Sequence, residues 1–468
     1  MSTVRNSLLM LASQVCLLFS GFAVNFGLGR FLGPELYGQF GIILAVSVIL
    51  NLLFVPGVSQ AVSKFCAEDR KNAGSVVSSM LRYQLVLALG FSVLFFFLSV
   101  PIAMLLKDIS LSGFLRILTP LVFVYSISAV YAGFFSGTGR FFVNSAQVVS
   151  YAVSRFVLTI VFAYFFGLVG AVTAVSIAAI SALIFFVAVF RDYGSADSKV
   201  IAIYRLSIPI TLFSVFLALF QSIDLFIVKA VLQDNVLAGF YTAAGMIARI
   251  PYFVLSALGV LLLPIVAGRL ADRRDVVKFI QESFRYVIML LFPSAAVFSA
   301  TGGALASFLY RHEYIAAGAP LEVLAFGMAG LTLLHLFSSV LFAKGSSMSP
   351  VAISFSSVVL SVILCIILTP VYGITGAAVG VSVSAVLFAG VSYVFVFLSV
   401  GNPVSPSSFF RIITASAMLY AICSFVELPS KFILPLFYAG LVLVYFLILA
   451  ILGELKKKDF ERFIGIIH

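Results

Sequence analysis

Residues 166–180 read FGLVGAVTAVSIAAI, and residues 372–386 read YGITGAAVGVSVSAV. Gly167 and Gly170 in the first stretch correspond to Gly373 and Gly376 in the second, and each pair marks a tight turn between two apolar segments. Upstream, FSGTGRFFVNSAQ (135–147) corresponds to FAKGSSMSPVAIS (342–354). SKFCAEDRKN (63–72) matches AGRLADRRDV (267–276), and VNFGLGRFLG (24–33) matches IDLFIVKAVL (223–232). The offset drifts between about 199 and 208, as expected of an internal repeat whose loops differ in length.

The segments that repeat are apolar. Hydrophobic residues make up 63% of the chain and charged residues 10%, against roughly 45–50% and about 25% in soluble domains. The chain is therefore an all-α polytopic membrane protein. A window of about 20 apolar residues gives about fourteen transmembrane helices: 7–29, 36–62, 78–105, 111–135, 142–166, 168–190, 206–231, 237–267, 284–309, 318–342, 349–370, 374–399, 409–426 and 432–452. The first is kept as a span and not a cleaved signal, because it is too long, carries Asn25 and has no small-residue cleavage site after it.

The repeat divides these spans into an N-lobe of six helices (1–198), a C-lobe of six (199–402), and an extra C-terminal helix pair with a basic tail (403–468). Each lobe holds an even number of spans, so the two face the same way and are related by a pseudo-twofold axis along the membrane normal, a parallel repeat of the kind found in transporters.

Charge orients the chain. With the N-terminus cytoplasmic, 20 basic residues fall in inside loops and 6 in outside loops, and Arg155 and Arg249 remain within spans. This positive-inside excess places a multi-pass protein in a cell membrane with both termini cytoplasmic. It also accounts for the net charge of +11 without a nucleic-acid partner. The tail ELKKKDFERFIGIIH (454–468) is expected to lie on anionic membrane lipids.

An ionised side chain inside a span needs a partner or a wet cavity. Arg155, Asp224 and Arg249 are the clear cases. One reading is an ion pair from Asp224 to Arg249 or Arg155 that locks helices. The other puts them on a cavity wall, where guanidinium groups hold a phosphate or pyrophosphate bidentately and the aspartate positions them or takes up a coupling cation. Two arginines exceed what one aspartate neutralises, which favours an anionic ligand. Asp224 and Lys229 are five residues apart on a helix, too far round for a pair, so Asp224 must look to another helix. Arg30 and Lys229 are repeat mates at span ends, either snorkelling or forming a basic rim at a cavity mouth. Gln221 and Asn25, the latter the repeat mate of Asp224, either hydrogen-bond saccharide or bridge helices. His335 reads as a packed neutral histidine, and Pro251, Pro264 and Pro293 as kinks.

The four cysteines, Cys16, Cys66, Cys365 and Cys423, have no spacing for a disulfide framework or a metal. No phosphate loop, metal-ligand cluster or nucleophile elbow is present, so the reading calls for no enzyme activity, no cofactor and no metal.

The stretches GRFLGPELYGQFGIILA (29–45), VPGVSQAVSKFCAED (55–69), SIDLFIVKAVLQDNVLAGFYTAA (222–244) and PVYGITGAAVGVSVS (370–384) resemble the polysaccharide transporter family. These are the O-antigen and lipid-linked oligosaccharide flippases of the multidrug, oligosaccharidyl-lipid and polysaccharide exporter superfamily. The resemblance covers residues 1 to about 400 and implies a flippase that moves a polyprenyl-(pyro)phosphate-linked saccharide from the inner to the outer leaflet by alternating access. It also implies service in surface polysaccharide or glycan biosynthesis beside other glycan-assembly membrane proteins. Asp224, Arg30 and Lys229 fall on the family's charged positions; Arg249 and Arg155 rest on the physical argument. Many such flippases have twelve spans, whereas fourteen are found in lipid II flippases of the same superfamily. The last pair either forms a groove for the polyprenyl tail or adds bulk. Two alternatives stay open: a cation-coupled multidrug exporter, and a non-transporting component of a glycan-assembly complex.

Overall fold

The structure, a computed structural model, describes residues 2–191, 194, 200–271, 276–346, 348–426 and 433–455, with the backbone alone for 2–8, 11 and several positions between 257 and 271. The basic tail beyond residue 455 lies outside the described residues, as do Lys199, Arg273, Arg274 and Lys431.

The described chain is built of α-helices. They are α1 (Ser2–Phe54), α2 (Pro56–Glu68), α3 (Ala73–Leu105), α4 (Leu111–Ile117), α5 (Thr119–Gly137), α6 (Phe141–Val189), α7 (Val200–Phe220) and α8 (Ile223–Leu232). Then come α9 (Asn235–Ala248), α10 (Ile250–Ala271), α11 (Val276–Ala300), α12 (Gly302–Leu309), a 3₁₀ turn (His312–Ala317), α13 (Gly318–Ala343), α14 (Met348–Val400), α15 (Pro406–Phe425) and α16 (Leu434–Ile451). Ten helical stretches among the described residues are long and apolar enough to cross a membrane, and three of these run to 49–57 residues, about twice what a bilayer needs.

Those three are each two spans in one continuous run. They turn at Gly33 (φ +74°), Gly167 (φ +59°) and Gly373 (φ +59°), all left-handed conformations that a side chain disfavours. The repeated glycine turn of the sequence is thus a repeated backbone conformation. Other pairs repeat as well. α5 and α13 both end in a left-handed glycine, Gly139 and Gly345, with the following residue's N–H returning to the carbonyl five positions back. Ser176 Oγ donates to Ile117 O at 3.1 Å, and its counterpart Ser382 donates to Val323 O at the same distance.

The described part of every predicted span is helical, but five spans that read as continuous are divided. Span two breaks at Val55 between α1 and α2, span four at Leu118 between α4 and α5, span seven at Gln221–Ser222 between α7 and α8, span eight at Arg249 between α9 and α10, and span nine at Thr301 between α11 and α12. At Arg249 the cause is local, since Pro251 in the first turn of α10 brings no N–H to continue the ladder.

Packing divides the chain into two compact units, one of Met1–Thr242 with Ser354–Ile374 and one of Ala243–Ile353 with Thr375–His468. The first unit has a core of α2, α3, α5 and the second half of α6, where Phe190 meets Tyr131 and Phe134 edge to face and Phe135 stacks on Phe186. In the second unit α11 is central: α13 and α15 pack against it, Phe284 stacks on Phe337 at 4.6 Å, and Tyr445 of α16 donates to Met289 O. The final helix pair is thereby built into that core.

Candidate functional site

The break between α7 and α8 explains how a carboxylate sits inside span seven. Asp224 is 1% exposed and occupies the first turn of α8, where the free N–H groups and the helix dipole favour negative charge. Its Oδ1 accepts the N–H of Leu225 at 2.8 Å, and its Oδ2 accepts the hydroxyl of Tyr241 on α9 at 2.7 Å. The other helix that Asp224 requires is therefore α9.

The first half of the repeat uses the same device without the charge. Asn25, also 1% exposed, gives its amide N–H to Gly21 O at 2.8 Å and accepts the hydroxyl of Tyr37 at 3.2 Å. Residues 34–41 (PELYGQFG) and 235–242 (NVLAGFYT) meet directly. A Cβ on Gly38 would lie 2.1 Å from Asn235 O, and one on Gly239 would lie 2.0 Å from Pro34 O. The contact is reciprocal, as a twofold relation between repeats demands.

Lys229 neither snorkels nor lines an open rim. It is 2% exposed, and its ammonium lies 2.7 Å from Asp108 in the turn between α3 and α4 and also donates to Asn235 Oδ1. Burial opposes ionisation of Asp108, but hydrogen bonds from Lys229 and Ser110 outweigh it and hold the carboxyl below its ordinary value. Arg30, the repeat mate of Lys229, is exposed at the end of the first span. Gln221 sits in the α7–α8 break and donates to Leu217 O at 3.3 Å.

Arg155 lies on the first half of α6. Among the described residues no carboxylate pairs with it, and its buried Nε has no hydrogen-bond partner. Its neighbours are phenols: Tyr125 on α5 feels its charge, hydrogen-bonds Tyr151 and lies 3.4 Å from Ser47 Oγ. Arg249 belongs to the other unit, at the α9–α10 break, with its guanidinium against Gly245 and its Nε buried. His335 is packed against Tyr252, with Nδ1 3.3 Å from the hydroxyl.

Sequence reasoning missed two acids. Asp108 was hidden in a turn, and Glu454 follows α16, 1% exposed, accepting Arg285 Nε at 2.6 Å and Arg411 Nη1 at 3.5 Å. The remaining signal for Glu454 is its place among lysines directly after an apolar helix. Among the described residues no group of three or more His, Cys, Asp or Glu stands together as a metal site.

Paired apolar helices, left-handed glycine turns and charges held within spans define an integral membrane protein with the fold of the multidrug, oligosaccharidyl-lipid and polysaccharide exporter (MOP) superfamily. The lipid II flippase MurJ in an inward closed conformation is similar to the chain with a TM-score of 0.78 at 15% identity, covering 96% of this chain and 98% of that one. An inward-facing multidrug resistance MATE family transporter of the MOP superfamily gives 0.70 at 15% identity, covering 88% and 99%. A MOP superfamily transporter from Pyrococcus furiosus, described with a binding pocket of reversed polarity, gives 0.58 at 17%, covering 89% and 96%. None of the curated proteins matches the chain. The profile of the polysaccharide biosynthesis protein family matches residues 3–268, more than half of the chain, and the protein belongs to that family.

Proposed function

We propose that the protein is a flippase that carries a polyprenyl-(pyro)phosphate-linked saccharide from the inner to the outer leaflet of a cell membrane by alternating access. Both termini are then cytoplasmic, and the substrate comes from and passes to other membrane proteins of glycan assembly. What carries this reading is Arg155, a guanidinium within a span that no described carboxylate neutralises, in a member of a polysaccharide biosynthesis family. A (pyro)phosphate supplies the missing charge bidentately. Arg249 in the other unit is assigned the same task, Gln221 a hydrogen bond to saccharide, and Arg30 attraction of the anionic head at a span end, while Asn25 stays buried against Gly21 and Tyr37 in the state described. Asp224 is assigned a positioning or cation-coupling role, and Lys229 stays bound to Asp108 in the state described.

A second reading, export of organic cations, draws on Asp224 as a buried acid. Binding to protein in nanodiscs separates the two. The flippase reading expects salt-sensitive binding of a polyprenyl-diphosphate-linked sugar, weakened in Arg249→Ala. Binding of ethidium instead, lost in Asp224→Asn, overturns it in favour of the exporter.

A further inference from the structure

The first half of α6 has three faces. At about 100° per residue, Val153, Phe156, Val157 and Ile160 form an exposed apolar face, and Ala152, Thr159 and Ala163 a buried one. Between them lies a partly exposed face carrying Asn144, Gln147, Tyr151, Ser154 and Arg155. Farther along the helix the same face turns apolar, at Leu158 and Phe162. The polar part covers about 17 Å of helix at about 1.5 Å per residue.

A face turned to lipid has no use for these side chains, and one turned to the core would be buried. Polar groups at membrane depth persist where they meet water, protein or a polar ligand. Asn144 donates to Ser136 Oγ at 2.8 Å, and Tyr151 meets Tyr125. Gln147 and Ser154 make no side-chain hydrogen bond among the described residues, and Arg155 has no counter-ion there. The face thus offers an amide, a phenol and a hydroxyl in line with an unneutralised guanidinium. Alternating donors and acceptors beside a phenol ring suit a sugar, and the guanidinium suits a phosphate.

We infer that this face of α6 holds the phosphate–sugar junction of the lipid-linked substrate, with Arg155 on the phosphate and Gln147, Tyr151 and Ser154 on the first sugar. The inference rests on the flippase reading above and adds to it a site within the first lobe alone.

Two measurements test it on the full-length protein in nanodiscs. In the first, Ser154→Cys is treated with a charged thiol reagent beside Val157→Cys on the lipid face. Ser154→Cys is expected to react above the background of the native cysteines and to be protected by a polyprenyl diphosphate bearing one hexosamine. Labelling as slow as that of Val157→Cys overturns the inference. In the second, Arg155→Gln is expected to weaken binding of both the glycosylated and the bare polyprenyl diphosphate by about tenfold or more, the scale of a lost charged hydrogen bond, whereas Gln147→Ala weakens only the glycosylated form. Arg155→Lys, which keeps the charge, controls for folding and retains part of the affinity. If wild type and Arg155→Gln bind the lipid-linked sugar equally, this inference falls, and the flippase reading rests on that binding and no longer on Arg155. If wild type binds neither lipid, both fall.

Discussion

Lys229 and Asp108 form an ion pair at 2.7 Å that joins the first repeat to the opening hairpin of the second, with side-chain exposures of 3% and 14%. A buried pair of this kind adds little over apolar packing but is costly to break from one side.

Asp108→Asn leaves the Lys229 ammonium buried beside a neutral group. It is expected to destabilise the protein by about 3 kcal/mol, and Lys229→Met by less, since Asp108 keeps Ser110 and some solvent. The double variant should recover much of the loss. Thermal melting of the four proteins in one detergent checks this, and strictly additive losses would count against the pair.

The same pair sets a pH dependence. The Asp108 carboxyl is held below its ordinary value in the folded state, so its contribution is fully present above the unfolded value near 4. It is lost as pH falls through the lower, folded value. Melting temperature should therefore show an acid-side drop that is smaller in the double variant.

Asp224 and Asn25 do equivalent work with different charge. Tyr241→Phe removes a hydrogen bond to a carboxylate and is expected to cost about 1.5–3 kcal/mol, whereas Tyr37→Phe removes one to an amide and costs about 1 kcal/mol. Asp224→Asn makes the second repeat like the first, so it should melt near wild type while altering transport. A transport assay on liposomes with a controlled proton or sodium gradient separates structure from coupling.

Glu454 anchors the end of α16 to α11 and α15. Arg285→Met leaves a carboxylate 1% exposed without its nearest partner and should cost about 3–5 kcal/mol. Arg411 is 43% exposed, so Arg411→Gln should stay within about 1 kcal/mol. Denaturant or thermal unfolding of the two variants side by side gives the comparison.

The spans and their glycine turns were legible because both are local: hydropathy needs about 20 residues, and a left-handed turn favours a glycine at one position. Asp224 and Arg155 stood out because ionised groups are rare in such sequence. The partner of Lys229 was not legible, since Asp108 lies in a turn of the first repeat and nothing local joins it to a lysine of the second. The breaks at Gln221–Ser222 and Arg249 escaped because a hydropathy average runs over them unchanged; only Pro251 pointed to the second. Tyr241 read as an ordinary aromatic until α9 brought its hydroxyl to Asp224.

At the repeat junction, a Cβ on Gly41 would lie 2.4 Å from the hydroxyl of Thr242, the residue that stands at its own place in the second copy. Two threonines there would collide, and two glycines would leave a gap where the threonine now fits. The duplicated halves have become lock and key at this point. A protein assembled from two second halves would therefore carry a clash at this seam, and one assembled from two first halves a void.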